Sequence, residues 1–325
     1  MTAVTAGCAE DRADGAITLA LNAAESRVQA AALRGGETVF AQEWHVPSQG
    51  TELLAPALAD AFARMRLSLR DVRRIACVQG PGSFTGLRLV LSTAAGMARA
   101  LGARQAGLSY TQLLACGPLL PRGAVLWVLT HARRGLVHMQ AFRMPGETVD
   151  VAAVSNDAAQ PSPRPAPLPE PLTPVEAATL HAAVTRMVAA RFNDDAAVAR
   201  MAAARFDESA AVARTAATPP EENGTGAVFL MGSGATRNRA ALAPALAALL
   251  PKARFVPARF DHPAPTLLLP LAATAAYGAD DVQPLYVRPC DAEENLPAMA
   301  AARGMDPEQA RRELARLTSA PLAPA

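Results

Sequence analysis

Nine consecutive residues, Gly80-Pro81-Gly82-Ser83-Phe84-Thr85-Gly86-Leu87-Arg88, constrain the fold of this chain more than any other stretch. An apolar run that ends at Val78 precedes them, and apolar residues at three- and four-residue spacing continue from Leu87 to Leu101. This pattern predicts a strand, a tight turn that glycine makes accessible, and then a helix. A helix that starts in this way presents unpaired backbone N–H groups at one point. We therefore expect either an anion-binding loop or a turn that fixes the angle of the helix.

The glycine stretch lacks the signatures of the common nucleotide-binding and nucleophile loops. It has neither the lysine nor the spacing of a P-loop, and its glycines do not match the G-x-G-x-x-G pattern. Ser83 directly follows Gly82, so it does not sit in a G-x-S-x-G nucleophile elbow. We predict no catalytic residue here. Anion binding stays open for the loop residues Gly80, Pro81, Gly82, Ser83, Phe84, Thr85, Gly86 and Arg88.

Arg88 places a positive charge in the first turn of the predicted helix. That position disfavours a cation, because the N-terminal end of the helix dipole is itself positive. The side chain therefore needs an anion, a carboxylate or a carbonyl group nearby. A pairing within the chain and a ligand contact explain it equally well.

The order of the predicted elements defines the fold class. Three strands joined by short turns come first, and a helix, a strand, the glycine turn, a helix, a strand and a third helix come after them, ending near Cys116. This β-β-β-α-β-α-β-α order is typical of one half of a ribonuclease-H-like or actin-like ATPase (ASKHA) protein. A new strand at 124–129 and a turn at 133–135 indicate that a second half begins with its own hairpin. We predict an α/β fold of two such halves with mixed sheets.

Four regions are predicted along the chain. Residues 1–15 form a flexible leader, 16–122 the first ribonuclease-H-like domain, 123–290 a second, degenerate domain, and 291–325 a tail with a short helix. The second domain contains an insert at about 145–225. The insert has a proline tract at 160–171, which favours extended backbone, and a 14-residue repeat that starts at Arg186 and again at Arg200. We interpret the repeat as a duplicated amphipathic helix.

Composition excludes several classes of protein. The net charge of +2 gives no overall field that would attract nucleic acid, and Lys252 is the only lysine. The four cysteines have no C-x-x-C spacing, and the five histidines form no H-x-x-x-H or H-E-x-x-H pair, so we predict no metal site. No apolar run approaches the roughly 20 residues that cross a membrane. We expect a cytoplasmic protein that does not bind membranes.

The two positions where an actin-like ATPase carries phosphate-orienting acids hold other residues. The turn after the first strand reads Asn22-Ala23, and the second half opens with Thr130-His131-Ala132. Asparagine cannot act as a general base and is a weak Mg²⁺ ligand. The sequence therefore predicts an ATPase-like skeleton without the acids that its chemistry requires.

The glycine stretch, together with Ser92-Thr93-Ala94-Ala95-Gly96-Met97-Ala98, closely resembles the signature of the TsaB (YeaZ) family. Weaker similarities lie at 51–56, 132–137, 232–234 and 284–288, so the resemblance covers 16–142 well and 227–290 loosely. The chain departs from the family at Asn22-Ala23, where Asp-Thr is usual, at Gly50, where histidine is usual, and at His131, where aspartate is usual.

The resemblance implies a non-catalytic subunit without a cofactor in the synthesis of N6-threonylcarbamoyladenosine, a modified nucleoside of tRNA. Such a subunit pairs with the catalytic subunit TsaD, an ATPase called TsaE joins them, and tRNA is reached only through the complex. The first two helices would supply the partner contacts, for which the candidates are Leu53, Leu54, Leu58, Phe62, Leu91 and Met97. A homodimer of the isolated chain through the same helices stays open. Two alternatives from other classes are a glycoprotease-like metallohydrolase and a small-molecule kinase of the same fold.

Overall fold

The computed structural model describes residues 15–45, 50–145, 168–190, 227–287 and 291–319. The chain divides into two compact units, Met1–Leu285 and Tyr286–Ala325, and each is described by itself. The predicted leader lies outside the described residues except for Gly15, as does most of the predicted insert. The domain boundaries proposed from the sequence stay predictions.

The first sheet has the predicted order of elements. Its five strands are β1 (Ile17–Asn22), β2 (Arg27–Arg34), β3 (Glu37–His45), β4 (Val72–Gly80) and β5 (Arg104–Ser109). Their spatial order is β3-β2-β1-β4-β5, in which β1, β2 and β3 are antiparallel neighbours and β4 and β5 run parallel to β1. The helices are α1 (Gly50–Arg64), α2 (Phe84–Leu101) and α3 (Tyr110–Ala115), and a 3-10 turn at Leu69–Asp71 leads into β4.

The second sheet repeats this arrangement. Its strands are β6 (Val125–Arg133), β7 (Leu136–Arg143), β8 (Glu170–Pro171), β9 (Glu176–Thr179), β10 (Val228–Met231) and β11 (Arg254–Phe255). Their spatial order is β11-β10-β6-β7-β8, with β9 also paired to β7, so an antiparallel hairpin again lies beside two parallel strands. The helices are α4 (Leu180–Ala189), α5 (Ser233–Arg237) and α6 (Arg239–Leu249). The repeated order confirms the prediction of two ribonuclease-H-like halves.

Strand β6 divides the core into two clusters because its side chains alternate between the two faces of the sheet. Leu126 and Val128 pack into the larger cluster, which contains the first sheet, α1, α2 and α3. Trp127 and Leu129 pack into the second cluster against α4 and α6. A late helix, α7 (Leu268–Thr274), also packs into the larger cluster, so the chain returns to its first half after completing the second sheet.

Part of the predicted insert belongs to the core of the second half. Strand β9 pairs with β7, and α4 buries Ala183, Val184, Met187 and Val188 in the second cluster. The structure therefore corrects the interpretation of 145–225 as one continuous insert, since 176–189 completes the sheet and one of its faces. Only the first residues of the 14-residue repeat, up to 190, are described, and the rest of both copies lies outside the described residues.

The unit Tyr286–Ala325 contains two helices, α8 (Asp291–Ala302) and α9 (Pro307–Ser319). The sequence predicted a tail with one short helix here, and the structure describes one helix more than was predicted. In the part of the chain that the structure describes, no helix is both long enough and apolar enough to cross a membrane.

Candidate functional site

The glycine turn between β4 and α2 is packed against the β1–β2 turn of the same half. A Cβ atom on Gly82 or Gly86 would overlap the carbonyl oxygen of Ala24 or Ala23, so both positions require glycine for the close approach of the two backbones. The amide of Ser83 donates to the Ala24 carbonyl oxygen at 2.6 Å. This turn therefore binds a neighbouring segment of its own chain.

Ser83 is the N-cap of α2. Its backbone is extended, and its Oγ accepts a weak hydrogen bond from the amide of Gly86 at 3.4 Å. The amide of Leu87 donates to the Ser83 carbonyl oxygen at 2.8 Å. The amides of Gly86 and Leu87 at the start of α2 therefore have hydrogen-bond acceptors within the chain. Anion binding by this loop stays a prediction.

Arg88 lies against an aromatic ring of its own helix. Its guanidinium carbon is 3.8 Å from the centroid of the Phe84 ring, and Phe84 is 45% exposed. A cation over a ring face is a favourable contact, worth about 0.5–1 kcal/mol at an exposed site. Arg88 thus has a ring contact within the chain, and its predicted pairing with an anion, a carboxylate or a carbonyl group stays a prediction.

Asn22, a departure from the family pattern, has a structural role in the turn that carries Ala23 and Ala24. Its Oδ1 accepts from the Ala24 amide at 2.9 Å, and its Nδ2 donates to Oε1 of Gln29 at 2.8 Å. The side-chain nitrogen of Gln29 donates to the carbonyl oxygen of Pro263 at 2.6 Å, which ties this turn to the second half. An aspartate at 22 would place an acceptor against the Gln29 oxygen.

Four of the six predicted partner contacts are core residues of the first half. Leu54, Leu58, Phe62 and Leu91 are buried in the larger cluster, so they are not available to a partner. The apolar spacing that singled them out belongs to the faces that α1 and α2 turn toward the sheet. Leu53 and Met97 lie outside these buried faces, and both are half-buried.

The outward faces of these helices carry rows of small residues. On α1, Ala55, Ala59 and Ala63 are exposed at four-residue spacing. On α2, positions at the same spacing after Phe84 are Arg88, Ser92, Gly96 and Ala100. A Cβ atom on Gly96 would meet open space. Because small side chains reduce the distance at which two helices pack, these rows allow another helix to approach closely.

A second glycine turn joins β10 to α5. Gly232 has a φ of +102°, and a Cβ atom on it would overlap the Leu129 carbonyl oxygen. A Cβ atom on Gly234 would lie 2.8 Å from the carbonyl oxygen of Thr130. The Gly232 amide donates to Oδ1 of the buried Asp261 at 3.0 Å. The second half thus uses the same close backbone contact at the equivalent position of its sheet.

The first hairpin carries a carboxylate, Glu25, outside the position where the acid was expected. This residue lies in the β1–β2 turn, three positions after Asn22, and its side chain is 16% exposed. Its Oε1 accepts from the Ser233 hydroxyl at 2.6 Å, and its Oε2 accepts from the Tyr110 hydroxyl at 3.0 Å. Nδ1 of His262 lies 3.5 Å from Oε2. The contact with Ser233 joins the first hairpin of one half to the glycine turn of the other.

One feature of the sequence does point to this cluster. Glu25 belongs to the same turn as Asn22, but it lies three residues beyond the position where the family usually has its aspartate. Burial, and after it the carboxylate of Glu25, raise the pKa of Tyr110 well above its ordinary value. Tyr110 therefore stays protonated and keeps donating to Glu25.

His131 borders the second glycine turn. Its backbone amide donates to Ser233 Oγ at 3.0 Å, while its ring Nδ1 is buried without a hydrogen bond. Burial lowers the pKa of His131, the guanidinium of Arg237 lowers it further, and Glu25 opposes both. Within the described ranges, no three His, Cys, Asp or Glu side chains converge as metal ligands would.

Comparison with known proteins agrees with this architecture. A structure from Pseudomonas aeruginosa, titled an uncharacterized protein with similarity to peptidase YEAZ, aligns with a TM-score of 0.54 at 17% identity, over 84% of this chain and 100% of that one. A structure titled YeaZ from Pseudomonas aeruginosa aligns with a TM-score of 0.53 at 17% identity, over 83% of this chain and 99% of that one. At this identity the two matches establish the fold.

Sequence comparison leads to a family. The tRNA threonylcarbamoyladenosine biosynthesis protein TsaB of Escherichia coli is 30% identical over 113 residues, which are 34% of this chain and 49% of that protein. The chain thus spans about half the length of this curated relative. A family model described as TsaD, tRNA N6-adenosine threonylcarbamoyltransferase, matches residues 46–217. Because that match covers more than half of the chain, the protein belongs to this family, in its TsaB (YeaZ) group and on the actin-like ATPase fold.

Proposed function

We propose that this protein is a non-catalytic subunit in the synthesis of N6-threonylcarbamoyladenosine in tRNA, and that it binds a TsaD-like catalytic subunit through the outward faces of α1 and α2. One observation carries the proposal: the glycine turn fixes the start of α2 against the β1–β2 turn, while the row through Ser92 and Gly96 stays open. A helix held in this way presents a surface of fixed geometry.

The composition of the outward faces supports a helical partner. Protein interfaces combine closely packed small or apolar residues with a polar rim and with Arg and aromatic contacts near the centre. The rows on α1 and α2 supply the small residues, and Phe84 with Arg88 supplies an exposed aromatic–cation pair at one end. Leu53 and Met97 border the faces and are retained as proposed contacts.

The catalytic subunit supplies the chemistry in this proposal. In the present chain, the carboxylate of Glu25 contacts Ser233 and Tyr110. A TsaE-like ATPase would join the pair, and tRNA would be bound only by the assembled complex in the cytoplasm. In the absence of TsaD, the same open faces would allow two copies of this chain to associate.

Co-purification tests the pairing. The full chain and a TsaD homologue from the same genome are co-expressed with a tag on the homologue, and we expect an equimolar complex. Ala59→Arg places a long cation in the exposed row of α1 and should remove the chain from the complex. Ala247→Arg makes the same change at an exposed position of α6 in the second half and should leave the complex intact.

A reconstituted assay tests the division of labour. The modified nucleoside should form only when this chain and the TsaD homologue are both present with TsaE, threonylcarbamoyl adenylate and tRNA. ATP hydrolysis or sugar phosphorylation by the purified chain alone would contradict the proposal and favour a kinase. A correctly folded chain that fails to associate with the TsaD homologue would also contradict it.

A further inference from the structure

Two buried hydroxyl groups donate to the carboxylate of Glu25, and a histidine ring lies beside it. The hydroxyl groups of Ser233 and Tyr110 each donate to one carboxylate oxygen, at 2.6 Å and 3.0 Å, and the His262 ring approaches the second oxygen at 3.5 Å. We refer to Ser233, Tyr110 and His262 together as the junction site, because Tyr110 comes from the first half and the other two come from the second half.

The junction site is built to hold an oxyanion. Ser233 Oγ accepts a hydrogen bond from the His131 amide at 3.0 Å. This contact orients the proton of the Ser233 hydroxyl toward Glu25. Hydrogen bonds to a carboxylate in a mostly buried setting are stronger than those between neutral groups. Asp261, which also belongs to this region, is engaged by the Gly232 amide. Two hydroxyl donors therefore converge on one position beside the His262 ring, and a carboxylate occupies that position.

Glu25, which occupies this position, belongs to the first half of the molecule, whereas Ser233 and His262 belong to the second half. Glu25 extends from the β1–β2 turn, whose backbone also receives the first glycine turn at Ala23 and Ala24. A single side chain thus links the segment that anchors α2 with the turn that begins α5. Removing the Glu25 carboxylate would leave two buried hydroxyl donors without their acceptor, which is costly unless another acceptor takes its place.

From this geometry we infer that the junction site is an oxyanion-binding site that Glu25 fills as an intramolecular ligand, and that a small carboxylate ligand binds there when Glu25 is absent or displaced. The bound carboxylate holds the second glycine turn against the first half. This inference does not depend on the pairing with a TsaD-like subunit. A planar carboxylate is the expected ligand class because the site already coordinates one through separate donors to its two oxygens.

Hydrogen–deuterium exchange on the full-length chain tests the inference. In Glu25→Ala, the amides of the second glycine turn and α5 should exchange about tenfold faster than in the wild type, because the contact that holds them is gone. Sodium acetate at about 0.1 M ionic strength should restore the slow exchange, whereas sodium chloride at the same ionic strength should not. Acetate should leave the wild type unchanged, because Glu25 already occupies the site.

Two further variants and a second anion complete the test. In Glu25→Ala/Ser233→Ala, acetate should no longer restore slow exchange, because one of the two hydroxyl donors is missing. Glu25→Gln keeps the side-chain volume but places an amide donor against the hydroxyl donor of Tyr110 or Ser233, so it should also exchange faster, and it replaces Glu25→Ala if that variant does not fold. Wild-type exchange in Glu25→Gln, or equal effects of acetate and chloride on Glu25→Ala, would overturn the inference. Stronger restoration by phosphate than by acetate would overturn the assignment to carboxylates.

Discussion

The two glycine turns of this molecule use one structural device for two different purposes. In the first half, Gly82 and Gly86 let the turn after β4 approach the carbonyl oxygens just past the end of β1. In the second half, Gly232 and Gly234 do the same for the turn after β10 and the carbonyl oxygens near the end of β6. The equivalent strand order of the two sheets places both turns at matching positions.

The helices that begin at the two turns differ. The first turn leads into the 18-residue helix α2, one face of which is open to the outside. The second leads into the five-residue helix α5, and its Ser233 binds Glu25 of the other half. The same backbone contact thus orients an outer surface in one half and closes the junction between the halves in the other. A glycine-rich turn between a strand and a helix is therefore insufficient to identify a ligand site.

Gly86→Ala should have the largest effect on stability. The added Cβ would overlap the Ala23 carbonyl oxygen, so the backbone of one turn must move, and we expect a loss of about 3 kcal/mol in the free energy of unfolding. Gly96→Ala is the matched control on the same helix. Its Cβ meets open space, and alanine favours the helix, so we expect a gain of about 0.5–1 kcal/mol. Urea unfolding measures both, and equal effects would contradict the role given to the first turn.

Gly234→Ala tests the second turn and should have a smaller effect. The nearest backbone atoms of Thr130 lie 2.8 Å from the added Cβ, which is a less severe overlap than at Gly86. We expect a loss of about 2 kcal/mol, because α5 must shift away from β6. The same unfolding measurement, combined with proteolysis of the Ser233 region, would show this loosening. A destabilisation greater than that of Gly86→Ala would reverse the ranking.

Acid should weaken the second glycine turn, because the titratable His131 borders it. The first glycine turn packs against Ala23 and Ala24, whose side chains do not titrate. The pKa of His131 is lowered from 6.5 in the folded chain, so between that folded value and 6.5 the unfolded state binds more protons. The contribution of His131 to the free energy of unfolding is therefore fully present above pH 6.5. It is lost as the pH falls toward the pKa that His131 has in the folded chain. His131→Asn removes the effect, so it should lose less stability than the wild type between about pH 7.5 and about pH 5.5. Equal losses in urea unfolding would contradict this account.

Much of the fold was predictable because local patterns and long-range pairing agree. The β-β-β-α-β-α-β-α order, the Ser109 cap of α3 and the end of α2 at Gly102 can all be inferred from apolar spacing and terminal residues. The contribution of 176–189 to the second half was missed because the neighbouring proline tract and repeat obscured a short strand and helix. Their place in the fold depends on pairing with β7, which local sequence does not reveal.

The candidate site was less predictable because its contacts join distant parts of the chain. Apolar spacing on α1 marked Leu54, Leu58 and Phe62, but the same spacing describes a core face, and the open face is made of small residues that carry little signal. Glu25 was overlooked because its partner Ser233 lies more than 200 positions away. The role of glycine at 82 and 86 becomes clear only when the backbone of the β1–β2 turn is in place.

The outward orientation of α2 is the central claim, and one calorimetric titration tests it most directly. A TsaD homologue is titrated with the wild-type chain, with Gly96→Arg in the open row of α2, and with Ala247→Arg on the exposed side of α6. We predict one-to-one binding of the wild type, unchanged affinity for Ala247→Arg, and at least about a tenfold loss for Gly96→Arg, equivalent to about 1.4 kcal/mol. Wild-type affinity of a folded Gly96→Arg variant would contradict the account.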